Sequence, residues 1–202
     1  MAARKTLRQE LRREQIVEAA GQVFAEYGIT AATLEQVGER VGLSKASLYY
    51  YVASKDDLVA SVLASVLASI DRRADELAGD TTDPLELLKM RAQAHVEIAI
   101  ESPLGRLIVS SIDAVSDNPT TARLLRDHEE PARQLLQTAQ EHGTVRDIDA
   151  VNATKLLYGA LNSIPRWYRP ESGSLTSVLE QTWTIFLHGV AGPRAETRST
   201  QT

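Results

Sequence analysis

At 202 residues and 43% hydrophobic content, the chain can bury a real core, as one large domain or as a small one joined to a medium one. The absence of cysteine excludes disulfides, a thiol nucleophile and cysteine-held zinc. A formal charge of −5 argues against a general nucleic-acid coat, and with no apolar run of membrane-span length and no apolar signal core a cytoplasmic location is expected.

The charge is unevenly spread. Up to Arg13 the chain carries Arg4, Lys5, Arg8, Arg12 and Arg13 against Glu10 alone. Residues 1–60 balance eight basic against eight acidic side chains, so the whole deficit lies in 61–202. A neutral head with a basic tip on an acidic body suits contact with a polyanion. Residues 1–10 are expected as a flexible basic arm.

Ile16, Ala19, Ala20, Val23, Phe24 and Tyr27 recur at helical spacing and predict a first amphipathic helix from about Leu11 to Tyr27, ended by Gly28. Thr33 with Gln36 forms a capping-box pattern opening a second helix, whose apolar stripe is Leu34, Val37 and Val41 and whose end is Gly42. Ser44 caps a third helix with Leu48 and Val52 inward. Ser54 caps a long fourth that runs to about Leu77.

Two short helices joined by a glycine-containing turn and packed on a longer one form a helix-turn-helix. Its third helix then turns Lys45, Ala46, Ser47, Tyr49 and Tyr50 outward, with Tyr51 between the faces. Three consecutive tyrosines in a chain with 5% aromatics suit neither a core nor a solvated face. Small residues and a lysine at the first turn fit a major groove, and phenolic hydroxyls donate to phosphates. Lys55 adds charge beside the start of the fourth helix.

The stretch T-L-E-Q-V-G-E-R-V-G-L-S-K-A-S-L-Y-Y-Y-V-A-S-K-D-D-L closely resembles the DNA-binding head of the TetR family of bacterial repressors, over roughly residues 12–60. The resemblance implies DNA contacts by Thr33, Lys45, Ala46, Ser47, Tyr49, Tyr50, Tyr51 and Lys55. Glu35 departs from it, standing where many relatives place an arginine, and Val52 replaces a frequent phenylalanine.

Five further helices are predicted, over about 84–101, 104–115, 120–142, 149–167 and 175–190, with Pro131 kinking or splitting the third of these. The fold class is therefore all-α, with about nine helices: a head over 1–57, an effector-binding and dimerisation body over 58–191, and a disordered tail over 192–202. The last two helices carry Leu157, Leu161, Ile164, Val178, Ile185 and Phe186, with Gly159, Ala160, Ser163, Thr182 and Gly189 permitting close approach. In TetR relatives such a pair meets its copy as a four-helix bundle, so the resemblance implies a homodimer interface there. From periodicity alone the same stripes serve equally as internal core. Two heads are nonetheless needed, because one short helix has too few contacts to specify a site.

Arg91, His95, Tyr158, Asn162, Arg166, Trp167 and Trp183 are candidates to line an effector cavity between the fourth helix and that pair. The segment I-P-R-W-Y-R-P resembles the C-terminal pattern of a TetR subgroup that includes repressors responding to acyl-CoA-type thioesters, and Arg166 suits an anionic ligand group. Control of drug efflux or stress genes, activation by the effector, and a helical interaction module without DNA binding are the alternatives. No nucleophile elbow, zinc-protease motif, P-loop or dinucleotide fingerprint is present, so neither enzyme activity nor a cofactor or metal is expected. Mechanistically, a small molecule favours the dimer state whose heads are mis-spaced for the operator.

Overall fold

A computed structural model describes residues 2–188, with the side chains of residues 9–113, 115–171 and 173–188. Ten α-helices and one 3-10 turn make up the described residues: α1 (Ala2–Tyr27), α2 (Leu34–Val41), α3 (Lys45–Leu48), α4 (Lys55–Ala78), α5 (Pro84–Glu101), α6 (Pro103–Ser110), α7 (Ile112–Ser116), α8 (Pro119–Glu141), α9 (Ala150–Trp167) and α10 (Leu175–His188). None is long and apolar enough to cross a membrane.

The local punctuation acts as its chemistry dictates. Thr33 and Gln36 form a reciprocal capping box. Ser44 and Ser54 accept from the third residues of α3 and α4. Gly28 and Gly42 close α1 and α2 at positive φ. Gly38 is required by proximity, since a Cβ there would lie 2.7 Å from the Leu43 carbonyl in the turn.

Three expectations are corrected. The segment expected as a flexible arm is helical from Ala2, because Ala, Arg, Lys, Leu, Gln and Glu favour helix and nothing between Ala2 and Leu11 interrupts it. The helix expected over 104–115 breaks at Ser111, whose amide is shared between the Leu107 and Ile108 carbonyls. Pro131 does not split α8, which runs through it. The end of the last predicted helix, Gly189 and the tail over 192–202 lie outside the described residues.

Buried apolar residues form two clusters. One joins the head to the body through α4, running from Ile16, Phe24, Val37 and Leu48 to Leu63, Ile70 and Ile108. The other, around Leu88, Leu136, Leu157, Leu161 and Ile164, unites α5, α8 and α9. Half of the fourteen residues of α10 are large and apolar, yet none is buried.

Candidate functional site

The head presents the third helix and the turn after it as an exposed ridge. Leu48 and Val52 are buried, while Tyr49 and Tyr50 are 49% and 66% exposed. Lys45, Ala46 and Ser47 face outward as well. Tyr51 is half-buried, packs on the core and meets the Tyr50 ring edge-on at 5.1 Å. Regular helix ends at Leu48, and the tyrosines continue it as a tighter turn with Tyr50 and Tyr51 donating to the Ser47 and Leu48 carbonyls.

Several polar groups on and beside this ridge already have an internal partner. Lys45 pairs with Glu35, which holds the carboxyl below and the ammonium above their usual ranges through their hydrogen bond. Lys55 Nζ donates to the Thr30 carbonyl at 2.7 Å, and Gln9 Nε2 to the Tyr50 hydroxyl at 2.6 Å. Thr33 is occupied by its cap. Arg12 and Arg13, counted in the basic tip, are structural braces: Arg12 donates to the Val41 carbonyl, and Arg13 to the Tyr51 carbonyl and the Ser61 hydroxyl.

Inside the body, α4 to α9 enclose a cavity of about 110 Å³. Its apolar wall is Val66, Leu67 and Ile70 of α4 with Ile108 and Val109 of α6; its polar wall is His95, His128, Glu129, Tyr158 and Asn162. The two imidazoles stack at 5.9 Å, and the Tyr158 ring stands edge-on to both. Burial, reinforced by His128 and Arg91, lowers His95 to about 4, and burial pushes the Tyr158 phenol up to about 12. Arg91 flanks the cluster, with Nη2 2.7 Å from Asp71 Oδ1.

Of the seven residues expected to line a cavity, the structure brings His95, Tyr158 and Asn162 together at one wall, with Arg91 behind them. The other three are elsewhere. Arg166 and Trp167 are exposed at the end of α9, which runs past the cavity, and Trp183 lies in a shallow groove between α10, α5 and α9. His128, Glu129 and Asp71 were missed, since a lone histidine or an adjacent carboxylate pair carries no local signal.

The expected interface residues also divide. Leu157, Leu161 and Ile164 are at most 2% exposed and belong to the protomer's own core against α5 and α8, which removes them from any interface. The outward stripe of α9 lies one residue over: Leu156, Gly159, Ala160, Ser163 and Trp167. On α10, Ile185 is exposed, and Val178, Thr182 and Phe186 are half-buried. No group of residues suited to hold a metal ion occurs among the described residues.

A capped helix-turn-helix joined by one long helix to a hollow helical body is the architecture of a regulator that reads DNA at one end. The model for bacterial regulatory proteins of the tetR family matches residues 16–62, and that for the tetracyclin repressor-like C-terminal domain matches 81–190. This chain belongs to the TetR family of bacterial regulatory proteins. The transcriptional repressor KstR2 of Mycobacterium tuberculosis is 29% identical over 188 residues, which cover 89% of this chain and 92% of the relative. The crystal structure of PfmR from Thermus thermophilus superposes with a TM-score of 0.67 at 26% identity, over 88% of this chain and 99% of that one. FadR from Bacillus subtilis, crystallised with stearoyl-CoA, shares the fold with a TM-score of 0.75 at 17% identity, over 88% and 99% of the two chains.

Proposed function

We propose that this regulator is a cytoplasmic homodimeric repressor, without enzymatic activity, that holds a palindromic operator and is released when a lipophilic effector fills the body cavity. The observation that carries this is α4. Its first residue, Lys55, stands on the head's outer ridge, and its middle, Val66 to Ile70, forms one wall of the cavity. A helix is stiff over this span of roughly 16 Å, so a ligand that moves the wall moves the head. Asp57 adds a clamp, accepting from the Ala53 amide and facing Arg13, and Asp56 accepts from Asn118 of the body.

On this reading Lys45, Ala46 and Ser47 reach base edges, while Thr33, Tyr49, Tyr50 and Lys55 hold phosphates. Tyr51 is assigned to the seam between head and body. The exposed stripe of α9 and the unburied α10 would meet their copies, setting two heads about 34–36 Å apart or a multiple of that. Effectors of the acyl-CoA type are supported by the stearoyl-CoA seen in FadR, and the exposed Arg166 and Trp167 suit the polar part of such a ligand outside the cavity.

The test is selection of binding sequences from a random duplex pool by the purified protein, followed by competition with acyl-CoA esters. A short palindrome that is released by one ester is expected. A folded protein that enriches nothing at low salt, with or without esters, would overturn the reading, and an ester that tightens binding would make the protein an activator.

A further inference from the structure

Resting on the effector reading above, we infer that Asp71 is the positioning residue that keeps α4 in its operator-holding place, by tying it to α5 and α8 across one end of the cavity. Asp71 directly follows Ile70, the last α4 residue of the apolar wall. Its Oδ1 accepts from Arg91 Nη2 of α5 at 2.7 Å and stands 3.5 Å from His128 Nδ1 of α8. Arg91 Nη2 in turn lies 3.5 Å from the His128 carbonyl, so one carboxylate oxygen and one guanidinium nitrogen join three helices. His128 belongs to the polar wall. The tie therefore links the helix that carries one wall to a residue of the other.

The cavity is narrow for what the effector reading asks of it. A cavity of about 150 Å³ holds benzene, whereas the space here is about 110 Å³. A longer hydrocarbon chain enters only if α4 moves away from α8, and the Asp71 tie opposes that movement. The tie is also built to yield. Arg91 Nε and both ring nitrogens of His128 are buried without a hydrogen-bond partner, so the cluster is not a saturated network. The Asp71 side chain is 47% exposed, and water takes over its carboxylate once the tie opens. A second ion pair, Arg73 Nε to Glu97 Oε2 at 2.8 Å, also joins α4 to α5. It has no bond to α8 and no place in the cavity lining, so it holds whether the cavity is narrow or wide.

Asp71→Asn keeps the shape of the side chain and removes its charge. Losing the tie shifts the balance toward the wide cavity, and the gain in effector affinity multiplied by the loss in operator affinity equals that shift, about tenfold. Stearoyl-CoA and decanol are titrated into the full-length native protein, Asp71→Asn and Glu97→Gln, and each is also titrated with the operator selected above. Decanol has no charge, so it separates widening from the plain effect of one carboxylate fewer, and its result decides. The expected result is that both probes bind Asp71→Asn more tightly, with operator affinity equal or lower, while Glu97→Gln changes melting alone. If Asp71→Asn fails to fold, Arg91→Lys, which keeps the charge and shortens the reach, takes its place. Unchanged decanol affinity, an equal gain in Glu97→Gln, or tighter operator binding by Asp71→Asn overturns the inference. Binding of neither probe by any of the proteins also overturns it, and operator release by other acyl-CoA esters then judges the effector reading separately. If no operator is enriched the regulator reading falls, while the decanol titrations still decide whether Asp71 holds the cavity narrow.

Discussion

In the head, α2, α3 and α4 each start on a side-chain cap, and Arg12 and Arg13 are bonded to the carbonyls of Val41 and Tyr51. At the opposite end, α10 buries none of its residues, and Leu156 and Trp167 of α9 are 73% and 54% exposed. One region satisfies its backbone groups and its core internally; the other shows apolar surface that only a further surface can cover. On the proposed reading, a region that works by touching a polyanion can be finished alone, whereas one that sets the spacing of two heads must be left half-built.

The largest effect that would break this contrast is at the unfinished end. Leu156→Glu with Ile185→Asp should yield monomers by sedimentation, with little change in melting, and operator affinity lower by about 10³-fold, near the non-specific level. An unchanged dimer would place the interface elsewhere. Acid should act on the body's interior. Burial holds folded His95 at about 4, below its ordinary 6.5, so the unfolded chain takes up the proton first. The stability is intact above pH 6.5 and falls by about 3 kcal/mol toward pH 4, a slope that His95→Leu should flatten in urea melts. Leu157 and Leu156 sharpen the comparison within one helix. Leu157→Ala should cost about 3 kcal/mol, and Leu156→Ala less than about 0.5 kcal/mol in the isolated protomer.

In the head the effects are smaller and concern DNA alone. Lys55→Ala should weaken operator binding about tenfold and reduce the salt slope by about 1, with melting unchanged. Glu35→Gln frees Lys45 from its ion pair and should raise affinity several-fold at low salt, with a steeper salt slope. A loss of affinity would instead make Glu35 a residue that aims the lysine.

What the sequence discloses follows the same division. Thr33 with Gln36, Ser44, Ser54, Gly28 and Gly42 act on their own neighbours, and a local pattern suffices to place them. On α9, a buried apolar stripe and an outer stripe with small residues lie one residue apart. The expected interface mixes the buried face, Leu157, Leu161 and Ile164, with the outer one, Gly159, Ala160 and Ser163, and periodicity cannot separate them, because α5 and α8 decide the matter from far along the chain. The polar wall is half legible: His95, Tyr158 and Asn162 stand out in the sequence, but His128 and Asp71 join them only through the packing of α8 on α4 and α5. Arg166 and Trp167 draw attention by their chemistry, and α9 carries them past the cavity.

One short helix has a consequence for how such a molecule diversifies. On α6, Leu104 lies against Gly21 of α1, where an added Cβ would come within 2.8 Å of it, and Gly105 is pressed on the Ile98 carbonyl, where a Cβ would come within 2.2 Å. Three and four positions on from Gly105, Ile108 and Val109 face the cavity. Contact with α1 at Leu104 and cavity lining at Gly105, Ile108 and Val109 thus share the same two turns. On the proposed reading, mutation at 108 and 109 would retune what the cavity accepts while Leu104 keeps the contact with α1, which makes α6 the place where a lineage, or an engineer building a biosensor, can exchange the input without rebuilding the output.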